Sequence, residues 1–147
     1  MNTPELQEIV KTFEGPSPHG CSCKFIKVND SIGIKCYTKR HRRDIGFYHQ
    51  TRMAEYGFAP KTLGVFEIDD TYCYVTEVAT PLVEGDEYYD DNYITCCKNV
   101  KSTYTDIDKR ISKLISDMKE VGYSYCDIHY ANFGILNDKL VAIDFTV

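Results

Sequence analysis

The sequence predicts an α+β fold in one domain, and three observations carry that expectation. Segments of period-two alternation flank two-residue turn pairs, which is how antiparallel hairpins are written. Helical stretches stand between the hairpins instead of alternating with single strands, which argues against a parallel doubly wound sheet. No linker rich in proline, glycine or serine interrupts the 147 residues.

Each element follows from local chemistry. Thr3-Pro4-Glu5 offers a capping hydroxyl, a proline at the first helical position and an acid in the first turn. Leu6, Ile9, Val10 and Phe13 then recur at helical spacing, and 15–20, Gly-Pro-Ser-Pro-His-Gly, breaks the helix into a loop. Residues 23–28 and 31–37 alternate like strands around Asn29-Asp30. The basic run 39–43 leads into Ile45, Phe47, Tyr48, Met53 and Tyr56, a helix expected to end at Gly57. A second hairpin is expected from Thr62–Ile68 and 71–78 around Asp69-Asp70. Residues 80–104 are acidic and tyrosine-rich without a steady period, and read as a connecting segment. From Asp106, the stripe Ile107, Ile111, Leu114, Ile115, Met118 and Val121 predicts the longest apolar helix face, closed by Gly122. Phe133–Leu136, the turn Asn137-Asp138, and 140–145 make a third hairpin.

Composition narrows the function classes. A net charge of −5 argues against general nucleic-acid binding, which needs a basic excess to displace counterions from phosphates. No apolar run reaches the length of a membrane span, and the opening MNTPELQEIVK lacks a signal peptide's apolar stretch, so a cytoplasmic protein is expected. The seven cysteines are odd in number and lack paired CxxC spacing, so reduced thiols are expected rather than a zinc site or a disulfide framework.

The chemistry concentrates near the end. Tyr125-Cys-Asp-Ile-His-Tyr-Ala-Asn-Phe is followed, after a turn, by Val141-Ala-Ile-Asp-Phe145. Asn132 and Asp144 are hard oxygen ligands suited to Mg²⁺, which takes few protein ligands and completes its shell with phosphate oxygens. Asp127 is left to accept a proton from an attacking hydroxyl. Phosphoryl transfer asks for little more than metal, a positioned acceptor and a cation on the phosphates that stay behind.

This pattern, Asp-x-x-x-x-Asn and then Ile-Asp-Phe, resembles the catalytic and metal-binding loops of the protein-kinase-like superfamily. His129 resembles the Asp-Leu-His-x-x-Asn form of aminoglycoside phosphotransferases, choline kinases and some atypical protein kinases. Cys126 stands where those families usually have Arg or Gly, and Thr146 replaces the glycine of Asp-Phe-Gly. The resemblance implies ATP and Mg²⁺ as cofactors. It casts Lys35 as the strand lysine on the α- and β-phosphates, with Asp44 as its acidic partner on the next helix and Glu55 as the fallback. Gly20 and Ser22 fall in a loop that is either the phosphate-covering turn or a plain turn. Glu77-Val78-Ala79 resembles the hinge that bonds adenine through its backbone.

The implied architecture is a truncated protein-kinase-like fold. Residues 13–79 form a small antiparallel-sheet N-lobe, 80–104 a connector, and 105–147 a minimal C-lobe of one long helix and the catalytic hairpin. The sequence stops three residues after Asp144, short of the family's activation segment and substrate-binding helices. Kinase-like bacterial effectors and viral proteins lose the same parts, and some depend on a partner, placing a viral example in the host cytoplasm. The leading expectation is therefore an atypical Ser/Thr protein kinase acting on a protein substrate or host partner, with a homodimer as another arrangement. A small-molecule phosphotransferase and a pseudokinase-like nucleotide-binding module are the rivals. The run 39–43 reads as a solvated helix entrance or an anion-docking patch, and 84–93 as a solvated connector or a partner-docking face.

Overall fold

The computed structural model describes residues 2–12, 23–82, 106–125, 128 and 130–145. In chain order it holds α1 (Thr3–Thr12), β1 (Cys23–Lys27), β2 (Ile32–Tyr37), α2 (Arg40–Glu55), β3 (Thr62–Ile68), β4 (Thr71–Glu77) and β5 (Thr80–Pro81). After these come α3 (Ile107–Glu120), a 3₁₀ turn at Tyr130–Asn132, β6 (Phe133–Leu136) and β7 (Lys139–Ala142). The fold is α+β with antiparallel sheets. Among the described residues no helix is long and apolar enough to cross a membrane.

The turns follow from their residue types. Asp69 and Asp70 have φ of 47° and 63°, and Asn137 and Asp138 have 52° and 64°. Two successive positive φ values match the twist of the flanking strands, and Asn and Asp tolerate that region better than other side chains. The first hairpin turns differently: the Asn29 side-chain oxygen accepts the N–H groups of Ser31 and Ile32 at 2.8 and 2.9 Å. Both longer helices stop alike. Phe58 N–H donates to Met53 C=O and Tyr123 N–H to Met118 C=O, each at 2.9 Å, with Gly57 and Gly122 in the left-handed position between.

The described residues fall into two compact units, one drawn from Met1–Arg52, Lys61–Val78 and Phe145–Val147, the other from Met53–Pro60 and Ala79–Asp144. The first contains a four-stranded sheet in the order β1-β2-β4-β3. Ile26, Ile34, Cys36, Phe66, Cys73 and Val75 bury one face of it with Leu6 of α1. The other face carries Lys35, Tyr37, Tyr74 and Thr76 towards α2. Gly46 lets that helix approach, since a Cβ there would come within 2.8 Å of the Tyr37 hydroxyl. β3 is an outer strand whose pairing with β4 shifts register between Thr62 and Gly64, and its Leu63 and Val65 are exposed.

The buried stripe of α2 departs from expectation. Arg43, Gly46, Gln50 and Met53 are buried, whereas Ile45, Tyr48 and Tyr56 are 42%, 58% and 49% exposed. Nor is the basic run wholly a solvated entrance. Arg43 is buried, and its guanidinium donates to the carbonyls of Phe66 and Cys73, both at 3.1 Å.

The second unit holds the sheet β5-β6-β7 and α3. Ile111, Leu114 and Met118 form the buried side of α3, as the stripe predicts. Thr80–Pro81, placed by sequence in an aperiodic connector, pairs with β6 as a strand. Gly134 permits that approach, because a Cβ there would lie 2.8 Å from the Thr80 carbonyl oxygen. The third hairpin is shorter than expected, with its second strand ending at Ala142. Of the expected connector and the charged segment 84–93, residues 83–105 lie outside the described residues.

Candidate functional site

Lys35 sits in the middle of β2, paired with Phe25 and Tyr74, and is buried. A buried ammonium needs fixed acceptors, because the lost hydration must be replaced. Its Nζ donates to Gln50 Oε1 at 3.1 Å and lies 5.6 Å from the centre of the Tyr74 ring. The same Gln50 oxygen accepts the Tyr74 hydroxyl at 2.7 Å, while Gln50 Nε2 donates to Thr76 Oγ1 at 2.6 Å. Gln50 is fully buried, so both ends of its amide serve this network.

On α2, Gln50 meets Lys35 with an amide oxygen, whereas Asp44, the acid expected there, is engaged by Arg43. Asp44 lies in the second turn of the helix and accepts from Arg43 Nε at 2.7 Å, with a mostly exposed side chain. Glu55 is exposed at the helix end. At the end of β4, Glu77 donates its N–H to Lys61 C=O at 2.9 Å and takes the Lys61 N–H on its carboxylate at 3.0 Å. Its C=O accepts the Thr76 hydroxyl at 3.0 Å. Val78 N–H goes to Ser31 C=O at 3.1 Å, and Ala79 is buried.

In the second unit, hairpin register brings Asn132 and Asp144 together. Phe133 pairs with Ala142, and one step further Ile143 N–H donates to Asn132 C=O at 2.9 Å. Asp144 follows directly. The buried Tyr125 hydroxyl reaches the carbonyl oxygens of both residues, Asp144 at 2.5 Å and Asn132 at 3.3 Å. One O–H bridges the two backbone segments that carry the candidate metal ligands. Tyr130, on the 3₁₀ turn leading to Asn132, donates its hydroxyl to Asp108 in the first turn of α3 at 2.5 Å.

Asn132 is buried and Asp144 half-buried. An amide and a carboxylate oxygen are donor types that Mg²⁺ accepts alongside phosphate oxygens. Among the described residues no group of three or more His, Cys, Asp and Glu converges, so a cage made wholly of such side chains is not present there. Asp127, Gly20 and Ser22 lie outside the described residues, as do Cys126, His129 and Thr146.

Sequence reasoning missed Gln50 and Tyr125. A polar residue in mid-helix carries no sign of burial. Tyr125 offered a weak one: a tyrosine beside an apolar strand must place its hydroxyl on an acceptor when buried.

No protein-family model matches the chain, and a search of curated proteins finds no match either.

Proposed function

We propose that this chain is an ATP- and Mg²⁺-dependent phosphotransferase of the kinase-like class, acting on Ser/Thr hydroxyls of a protein. The observation that carries the reading is the joining of Asn132 and Asp144 through their main chain by Ile143 and Tyr125. On this reading the unit with β1–β4 belongs to the N-lobe and the unit with α3 and β6–β7 to the C-lobe. A buried strand lysine held by the following helix supports it, being the arrangement by which kinases aim a cation at phosphates.

The roles divide by chemistry. Asn132 and Asp144 would hold Mg²⁺, which when bound supplies charge neutralisation on the phosphates. Lys35 binds the non-transferred phosphates, Asp127 takes the acceptor proton, and the main chain at Ala79 faces adenine, the Glu77 and Val78 N–H groups being bonded to Lys61 and Ser31. A protein partner or a second copy completes the substrate side, which light scattering with and without lysate would reveal.

Calorimetry with ATP in Mg²⁺ and in chelator tests the reading. Affinity should depend on the metal and fall about a hundredfold or more in Asp144→Ala. Equal affinity in both conditions, or an unaffected variant, would overturn the assignment. Gln50 favours one second reading, a module that binds nucleotide without turning it over. An amide positions Lys35 but adds no negative charge beside it. Tight Mg²⁺-dependent binding with no transfer of labelled phosphate would select that reading.

A further inference from the structure

The sheet face away from Lys35 carries a pair of thiols that the phosphotransfer reading does not use. Cys36 on β2 and Cys73 on β4 are direct register partners. Both are buried and free, and their sulfurs lie 3.6 Å apart, within S–H···S hydrogen-bonding distance. Opposed residues on antiparallel strands bring Cβ atoms near the range a disulfide spans, so closure asks for a small movement of two side chains.

Chemistry separates the two sulfurs. Cys73 is pulled below the ordinary thiol value by its hydrogen bond with Cys36, and the charge of Arg43 assists against the opposing effect of burial. Cys36 is pushed far above it by the same hydrogen bond and by burial. The Arg43 guanidinium, which donates to the Cys73 carbonyl at 3.1 Å, favours a thiolate on that side for attack and leaves Cys36 to resolve.

Access runs past α1. That helix has ten residues, of which Leu6 alone is buried, and Gln7 Nε2 ties it to Glu67 C=O at 3.1 Å. A helix so short has little stability apart from its docking, and an element held by so little buried surface opens at low cost. A groove of about 180 Å³ lies on this face, lined by Leu6, Leu63, Phe66 and Val75 among others. Phe66, which lines it, is the register partner of Cys73, and Cys73 lies in the same buried cluster as Leu6 and Phe66.

We propose that Cys36 and Cys73 form a redox modification site that closes to a cross-strand disulfide, with a hydroperoxide as oxidant and α1 as the gate. The Cys73 thiolate attacks the peroxide, the O–O bond breaks, and the products are a sulfenic acid on Cys73 and an alcohol, or water from hydrogen peroxide. Cys36 sulfur then attacks the sulfenic sulfur. The S–S bond forms, the S–O bond breaks, and the departing hydroxide leaves as water with the Cys36 proton. Two thiols lose two electrons in all, and one peroxide gains them.

The test treats the full chain with hydrogen peroxide, caps remaining thiols with iodoacetamide and maps the peptides by mass spectrometry. The peptides bearing Cys36 and Cys73 should be recovered joined, and dithiothreitol should part them. In Cys36→Ser, Cys73 should stop at a sulfenic acid that dimedone traps. Leu6→Ala should speed closure on the order of tenfold by loosening α1. Gln7→Ala, a milder exposed change, should speed it less and guards against misfolding of the first variant. Alkylation of both cysteines after other cysteines have oxidised, or bridges from either one to a different cysteine only, would overturn the site. An unchanged rate in both α1 variants would overturn the gate.

Discussion

The candidate residues of the two units are held by opposite strategies. Around Lys35 the fixing groups are side chains: Gln50, Tyr74 and Thr76 bind one another and the ammonium. Around Asn132 and Asp144 the fixing groups reach the main chain, through the Tyr125 hydroxyl and Ile143 N–H. A side-chain network ties the placement of the cation to the identity of each member. A backbone brace places a residue whatever its side chain is, leaving Asn132 and Asp144 open to selection for what their oxygens bind.

That contrast can be broken at its side-chain end first. Gln50→Leu takes away the acceptor of Lys35 and Tyr74 and the donor to Thr76 in a buried place. Chemical denaturation should show a loss of about 3 kcal/mol. Gln50→Glu, which keeps the shape and adds a charge beside Lys35, should lose far less and should raise phosphate transfer if the chain is catalytic. Loss of stability in Gln50→Leu below a few tenths of a kcal/mol would show that the network does not organise the site.

At the backbone end the effect is smaller and differently distributed. Tyr125→Phe keeps the ring packed beside Phe133 and removes only the bridging hydroxyl. Stability should fall by about 1–2 kcal/mol, and Mg²⁺-dependent nucleotide affinity by about tenfold. Affinity measured in chelator should not move. A parallel fall in both affinities would mean that the brace supports the unit at large and not the proposed metal ligands in particular.

The smallest expected effect comes from His49, next to Gln50 on α2. Burial, and then the charge of Arg52, hold its pKa below the ordinary 6.5. The unfolded chain therefore binds the proton more readily, and stability rises with pH in this window. The contribution is complete above 6.5 and is lost as pH falls through the lower folded value. His49→Gln should flatten that part of a melting-temperature profile, while an unchanged slope would assign the acid sensitivity to other groups.

What the sequence disclosed were features with local causes. The turn pairs Asp69-Asp70 and Asn137-Asp138 announce their hairpins because few other residues accept their φ values. The stripe on α3 announces its buried side because burial there is apolar. The helix α2 misled because its buried side includes Arg43, Gly46 and Gln50, while several apolar residues face solvent. The kinase resemblance pointed to an acid for Lys35, although a buried amide oxygen can also accept its hydrogen bond. Cys36 and Cys73 were visible as residues but not as neighbours. Alternation fixes which way each points within its strand, and only the pairing of β2 with β4 sets them opposite one another.

The irregular edge of the larger sheet bears on how the chain behaves in a crowd. β3 presents Leu63 and Val65 to solvent on an outer strand, the kind of surface on which a foreign strand can add. The register shift between Thr62 and Gly64 interrupts the ladder there, and Gly64, with φ of 138°, occupies a backbone region that side chains rarely enter. An interrupted ladder of this kind is a poorer template for an incoming strand than a regular edge, one of the ways by which sheet proteins discourage edge-to-edge association.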